Sequence, residues 1–125
     1  MESSDKIGSS DKVESSDNVG SSDLKKIIDR SLEIRKKYHQ LELQHHGSKW
    51  SVEEDALAFL TDAGLVGRNV MSQQNRWPKT GTEKELQQKL GESVWWLIVL
   101  ADRMNIDIKK SIEKFLGETE QLLEK

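Results

Sequence analysis

The chain of 125 residues has no cysteine, a single proline and no long apolar run. The first absence excludes disulfides, zinc–thiolate centres and thiol nucleophiles. The longest uninterrupted apolar stretch runs from Val94 to Ala101, far short of the ~20 residues that a membrane-spanning helix needs. The N-terminus is polar and acidic, without the basic-then-apolar pattern of a secretory leader. These absences point to a cytoplasmic protein with no membrane partner. A dominant charge is missing too. The net charge is −3, and residues 1–23 already carry −4 (six acids against two lysines), which leaves +1 for the rest. Such a near-neutral body offers no field for nucleic acid. The basic clusters at Arg35, Lys36 and Lys37 and at Lys109 and Lys110 have acids nearby and read as solvated helix faces. No Ser-His-Asp set, phosphate-cradling glycine loop or nucleophile elbow is present.

What is present begins with a six-residue repeat: ESSDKI, GSSDKV, ESSDNV, GSSD. One Ile or Val per repeat cannot offset the entropy of ordering the chain, so residues 1–21 are expected to be a disordered tail. The texture changes at Leu24. Leu24, Ile27, Ile28, Ile34, Tyr38 and Leu41 recur at helical spacing, and the last Ser-Ser-Asp of the repeat is placed to cap that helix. His45, His46 and Gly47 suit its end. A metal site on His39, His45 and His46 lacks companion ligand spacing.

A second helix is predicted from Ser51, which with Glu54 forms a capping box. Its apolar positions are Val52, Ala56, Phe59, Leu60, Ala63, Val66 and Val70; Asp55, Asp62 and Asn69 fall on a line beside that stripe, seven apart. Residues 72–81, SQQNRWPKTG, hold the proline and read as a loop. Thr82 and Glu85 repeat the capping-box spacing and are predicted to open a third helix. One of its faces carries Leu86, Leu90, Leu97, Ala101 and Met104. The other carries Glu85, Lys89, Glu92, Trp96 and Arg103, with Trp95 and Val99 adjoining. After Asn105, Asp107 caps a fourth helix bearing Ile108, Ile112, Phe115, Leu116, Leu122 and Leu123.

The expected fold is therefore all-α, a four-helix bundle over residues 22–125 behind the tail. A helix apolar on every side must be covered on every side. The third helix is such a helix, and four helices from one chain do not suffice to cover it. The sequence thus predicts a homo-oligomer, most simply a dimer, with Trp95, Trp96 and Val99 at the interface.

The remaining chemistry lies in carboxylates facing each other across the second and third helices. Asp62 and Glu92 are the pair that could share a Mg²⁺ ion, which prefers oxygen ligands and borrows others from phosphate and water. At this point "LTDAGL" and "VWWLIVLADRMNIDI", with Trp50 ahead of the second helix, resemble the MazG-like all-α nucleoside triphosphate pyrophosphohydrolases. The resemblance runs from about Tyr38 to Leu123. It implies a four-helix MazG-like bundle that assembles into oligomers and releases pyrophosphate from nucleoside triphosphates with Mg²⁺. The family pattern is Glu-Glu-x-x-Glu on the second helix and Glu-x-x-Asp on the third. Here the first motif falls on Thr61, Asp62 and Leu65 and the second on Lys89 and Glu92, so two carboxylates remain. Lys114 lies near the family's lysine on the last helix.

Within this resemblance Lys89 reads as a charge surrogate for the metal, or as a plain solvated lysine. Asp55 is the candidate substitute ligand; Glu54 and Glu85 are already explained by capping. Arg76, Trp77 and Lys79 in the loop, with Trp50, are the nucleotide-binding candidates, and for each tryptophan packing is the commoner use. Three functions fit these residues: a degenerate MazG-like protein that keeps the oligomer and a nucleotide-sized cleft; an active Mg²⁺-dependent pyrophosphohydrolase using Asp55, Asp62 and Glu92; and a non-catalytic helical interaction module.

Overall fold

A computed structural model describes residues 22–124, and the reading of residues 1–21 as a tail lies outside them. The described residues form four helices: α1 (Asp23–His46), α2 (Val52–Gln73), α3 (Thr82–Arg103) and α4 (Ile108–Leu123). No strand occurs among the described residues, and no helix is long and apolar enough to cross a membrane.

Local chemistry explains most helix ends. The Ser22 hydroxyl accepts from the Lys25 amide at the start of α1. Gly47 closes that helix in the left-handed region, at φ 77°, where its amide donates to the Leu43 carbonyl. Ser51 and Glu54 form the reciprocal capping box of α2, and the Asp107 carboxylate accepts from the Lys110 amide to open α4. The exception is α3. Its N-cap is Gly81, at φ 74° and without a side-chain cap. Thr82 is instead buried, within 3.1 Å of the Ser72 hydroxyl and accepting from the Gln73 amide at 2.7 Å. The Thr82–Glu85 capping box expected from spacing does not form, because Thr82 ties the end of α2 to the start of α3.

α2 and α3 make the principal packing, α1 leans across α3, and α4 touches α3 only lightly. Contacts between Asp55 and Arg103, Asp62 and Lys89, and Ser72 and Thr82 set α2 and α3 antiparallel. The faces turned inward differ from those the apolar spacing suggests. On α2 the buried residues are Asp55, Asp62, Asn69 and Ser72, so the polar line faces in, while Leu60 and Val70 from the expected stripe are exposed. On α3 the buried set is Thr82, Trp96, Ile98, Val99 and Ala101, and Leu90, Val94, Leu97 and Met104 are exposed.

The assignment of Trp95, Trp96 and Val99 to an intersubunit surface is therefore corrected. Val99 is fully buried and Trp96 is 8% exposed within the single chain. Trp95 is half-buried and donates its indole N–H to the Ser31 carbonyl of α1 at 3.1 Å. The physical reason is the polar line on α2. Asp55 pairs with Arg35 and Arg103, and Asp62 accepts from the Trp96 indole and from Lys89, and those bonds make the polar side the inside. Buried charges are tolerated when paired and hydrogen-bonded.

Candidate functional site

The interior of the bundle is an ionic network in two parts. In the first, Asp55 is fully buried and held from both sides: Arg35 Nη2 donates to one carboxylate oxygen and Arg103 Nη1 to the other, each at 2.8 Å. Arg35 also donates through Nη1 to Glu42 at 2.8 Å, and Arg103 Nη1 reaches the Trp50 carbonyl at 2.9 Å. Three helices and the α1–α2 connection are thus fastened at one point. Trp50 and Trp96 stack nearly parallel, with centroids 6.5 Å apart, and the Arg35 guanidinium lies 5.5 Å from the centroid of Trp96.

This environment moves two titrations. Burial pushes Glu42 upward, but the Trp50 amide and the Arg35 guanidinium together outweigh it and hold the carboxyl below its ordinary range. His39, a turn away on α1, is pushed down, first by burial and then by the positive charges of Arg35 and Arg103. Its Nε2 is buried without a partner.

In the second part Lys89 sits between the two carboxylates singled out in the sequence. Its Nζ donates to Asp62 Oδ1 at 3.2 Å and to Glu92 Oε1 at 2.9 Å. The other oxygen of Asp62 accepts from the Trp96 indole at 3.0 Å. Exposure grades outward, from 11% for the Asp62 side chain to 20% for Lys89 and 35% for Glu92. The hydrogen bonds that Lys89 donates to Glu92 and then to Asp62 raise its pKa above the ordinary value, so the ammonium keeps its charge here.

These residues do not fit a Mg²⁺ ion. Both oxygens of Asp62 already hold a donor, and an ammonium fills the space between the carboxylates. Mg²⁺ requires near-octahedral oxygen coordination. Among the described residues no group of three or more histidines or carboxylates could hold a metal. Asp55 is corrected as a substitute ligand: it lies two turns from Asp62 along α2, ~10 Å by helix rise, and both its oxygens belong to arginines.

The nucleotide candidates are scattered. Trp50 is 39% exposed and reaches the Asp62 cluster through its stack on Trp96. The loop residues belong to the far end of α2. The Trp77 ring lies under the Arg68 guanidinium at 3.7 Å, and its carbonyl accepts from Arg68 at 2.7 Å. Lys79 pairs with Glu85 at 3.4 Å, and Arg76 is exposed. Glu92 does border a hollow of about 360 Å³ between α1 and α3, lined by Tyr38, Gln87, Gln88 and Trp95 among others. Tyr38 and Trp95 meet there edge to face, with ring centroids 6.0 Å apart.

Sequence reasoning missed Arg35, Glu42 and Arg103 as site residues. The available signal was the register of α1, where Ile28, Arg35 and Glu42 recur seven apart, the same spacing that marks Asp55, Asp62 and Asn69 on α2. Comparison with family models, with curated proteins and with solved structures finds no match.

Proposed function

We propose that this chain is a MazG-like helical protein in which a lysine ion pair has replaced the metal centre, so that it assembles as an oligomeric module without Mg²⁺-dependent hydrolysis. The observation that carries this reading is Lys89 Nζ lying 3.2 Å from Asp62 and 2.9 Å from Glu92. A divalent cation at that point would have to displace an ammonium that both carboxylates stabilise, and no third acid stands ready to complete the coordination. Nucleotide binding without turnover is the second element of the proposal. The hollow beside Glu92, with Tyr38 and Trp95 on its walls, supports it. The oligomer is supported by the large apolar residues that a single chain leaves exposed on all four helices. Such a protein would work in the cytoplasm, away from membranes.

A screen of ordinary and damaged nucleoside triphosphates with Mg²⁺, read as pyrophosphate release, tests the reading. The expected result is no turnover above the uncatalysed background, with any nucleotide binding detected separately by quenching of tryptophan fluorescence. Brisk metal-dependent release would replace this proposal with an active pyrophosphohydrolase.

A further inference from the structure

α4 stands apart from the other helices. It has no buried residue, although its apolar side chains form one continuous stripe. Ile108, Ile112, Phe115 and Leu122 follow a four-then-three spacing, with Thr119 completing it and Leu116 and Leu123 alongside. That is the repeat of a helix seam rather than of a surface. Phe115 is 64% exposed and Leu123 79%. Charge is divided along the same helix: its first half carries Lys109, Lys110 and Lys114 against Glu113, and its second half carries Glu118 and Glu120 with no base.

We propose that α4 pairs antiparallel with α4 of a second copy of this chain, about a two-fold axis through the turn of Phe115 and Leu116. An antiparallel pair lays the basic half of one helix against the acidic half of the other, at both ends at once. Lys109 then flanks the seam on the same side as the partner subunit's Glu120, within a turn of it along the axis. A parallel pair would set lysine against lysine and glutamate against glutamate. Within one chain these groups are only loosely engaged. Lys109–Glu113 spans 3.5 Å and Lys114–Glu118 spans 3.9 Å, all four side chains well exposed, so exchanging partners costs little. One helix that holds both the apolar stripe and its own charge complement fits an isologous contact, in which a surface meets itself. This inference rests on the oligomer reading above and gives that oligomer its contact face.

The absence of cysteine from the chain makes the test clean. Full-length Leu116→Cys and Leu123→Cys are oxidised mildly and run on a non-reducing gel, while wild type and Phe115→Glu are compared by sedimentation, with circular dichroism to verify helix content. The expected results are a dimeric wild type, association at least ~10-fold weaker in Phe115→Glu, a covalent dimer from Leu116→Cys, and none from Leu123→Cys, whose two copies would lie at opposite ends of the seam. Crosslinking of Leu123→Cys as readily as Leu116→Cys would overturn the antiparallel pairing. A folded Phe115→Glu that remains dimeric would move the contact to another face and leave the oligomer reading standing. A monomeric wild type at high micromolar concentration would remove both.

Discussion

Replacing Asp55 by alanine should be among the most damaging single changes in the chain. The carboxylate is fully buried, and each of its oxygens receives an arginine at 2.8 Å. The Arg35 side chain is itself only 5% exposed. Its Nε already lacks a partner, so it cannot recover solvation by a small movement. After the substitution Arg35 retains Glu42, but Arg103 loses the one carboxylate it has among the described residues and keeps the Trp50 carbonyl. Breaking a buried pair by removing one partner costs roughly 3–5 kcal/mol, because a charge is left behind without compensation. A domain of this size is stable by about 5–15 kcal/mol, so the variant should lose between about a fifth and all of its stability. Urea unfolding followed by far-ultraviolet circular dichroism, at matched chain concentration, measures the loss. The tryptophan fluorescence should change in the same transition, since Trp50 and Trp96 both lie against Arg35. A loss under about 1 kcal/mol, the value of an exposed ion pair, would refute the claim that this pair organises the core.

Lys89→Met should cost less, about 1–3 kcal/mol, because Asp62 keeps the Trp96 indole and Glu92 is exposed enough to turn toward water; the same unfolding assay checks it, and a gain in stability would contradict it. Stability should fall in acid through two groups. His39 has a lowered pKa, so the unfolded chain takes up its proton first and stability declines as pH drops below 6.5. The contribution of Glu42 is complete above 4.5 and disappears as pH falls through its lower folded value. Lys89 acts at the opposite end: its contribution is complete below 10.5 and is lost as pH rises through its raised folded pKa. Thermal midpoints across pH should therefore show a plateau between about pH 7 and 10, with Glu42→Gln flattening the acid limb.

The helix ends other than the start of α3 are legible because capping is local. Ser22, Ser51 with Glu54, Gly47 and Asp107 each act within one turn of chain, and each was placed from its neighbours alone. The inward faces of α2 and α3 were not legible from apolar spacing. A stripe such as Phe59, Leu60 and Ala63 reads as buried only on the assumption that charges prefer water. Asp55 reverses that preference by meeting Arg35 and Arg103, which lie 20 positions before it and 48 after it, and no local pattern encodes a meeting of three helices. Asp62, Lys89 and Glu92 were easier, because the seven-residue line on α2 and the three-residue spacing on α3 already place them on facing sides. The seven-residue recurrence on α1 and α2 is the transferable clue: a polar position repeated at that interval can mark an interior row when opposite charges recur on a second helix.

The Lys89 ammonium occupies the place between Asp62 and Glu92 where a divalent cation would have to bind. Calorimetric titration of Mg²⁺ into the wild type and into Lys89→Glu tests it most directly. The wild type should bind Mg²⁺ no tighter than about millimolar, and Lys89→Glu at least ~10-fold tighter, because the repulsive charge becomes a third carboxylate. Micromolar Mg²⁺ binding by the wild type, unchanged or weakened in Lys89→Glu, would contradict it.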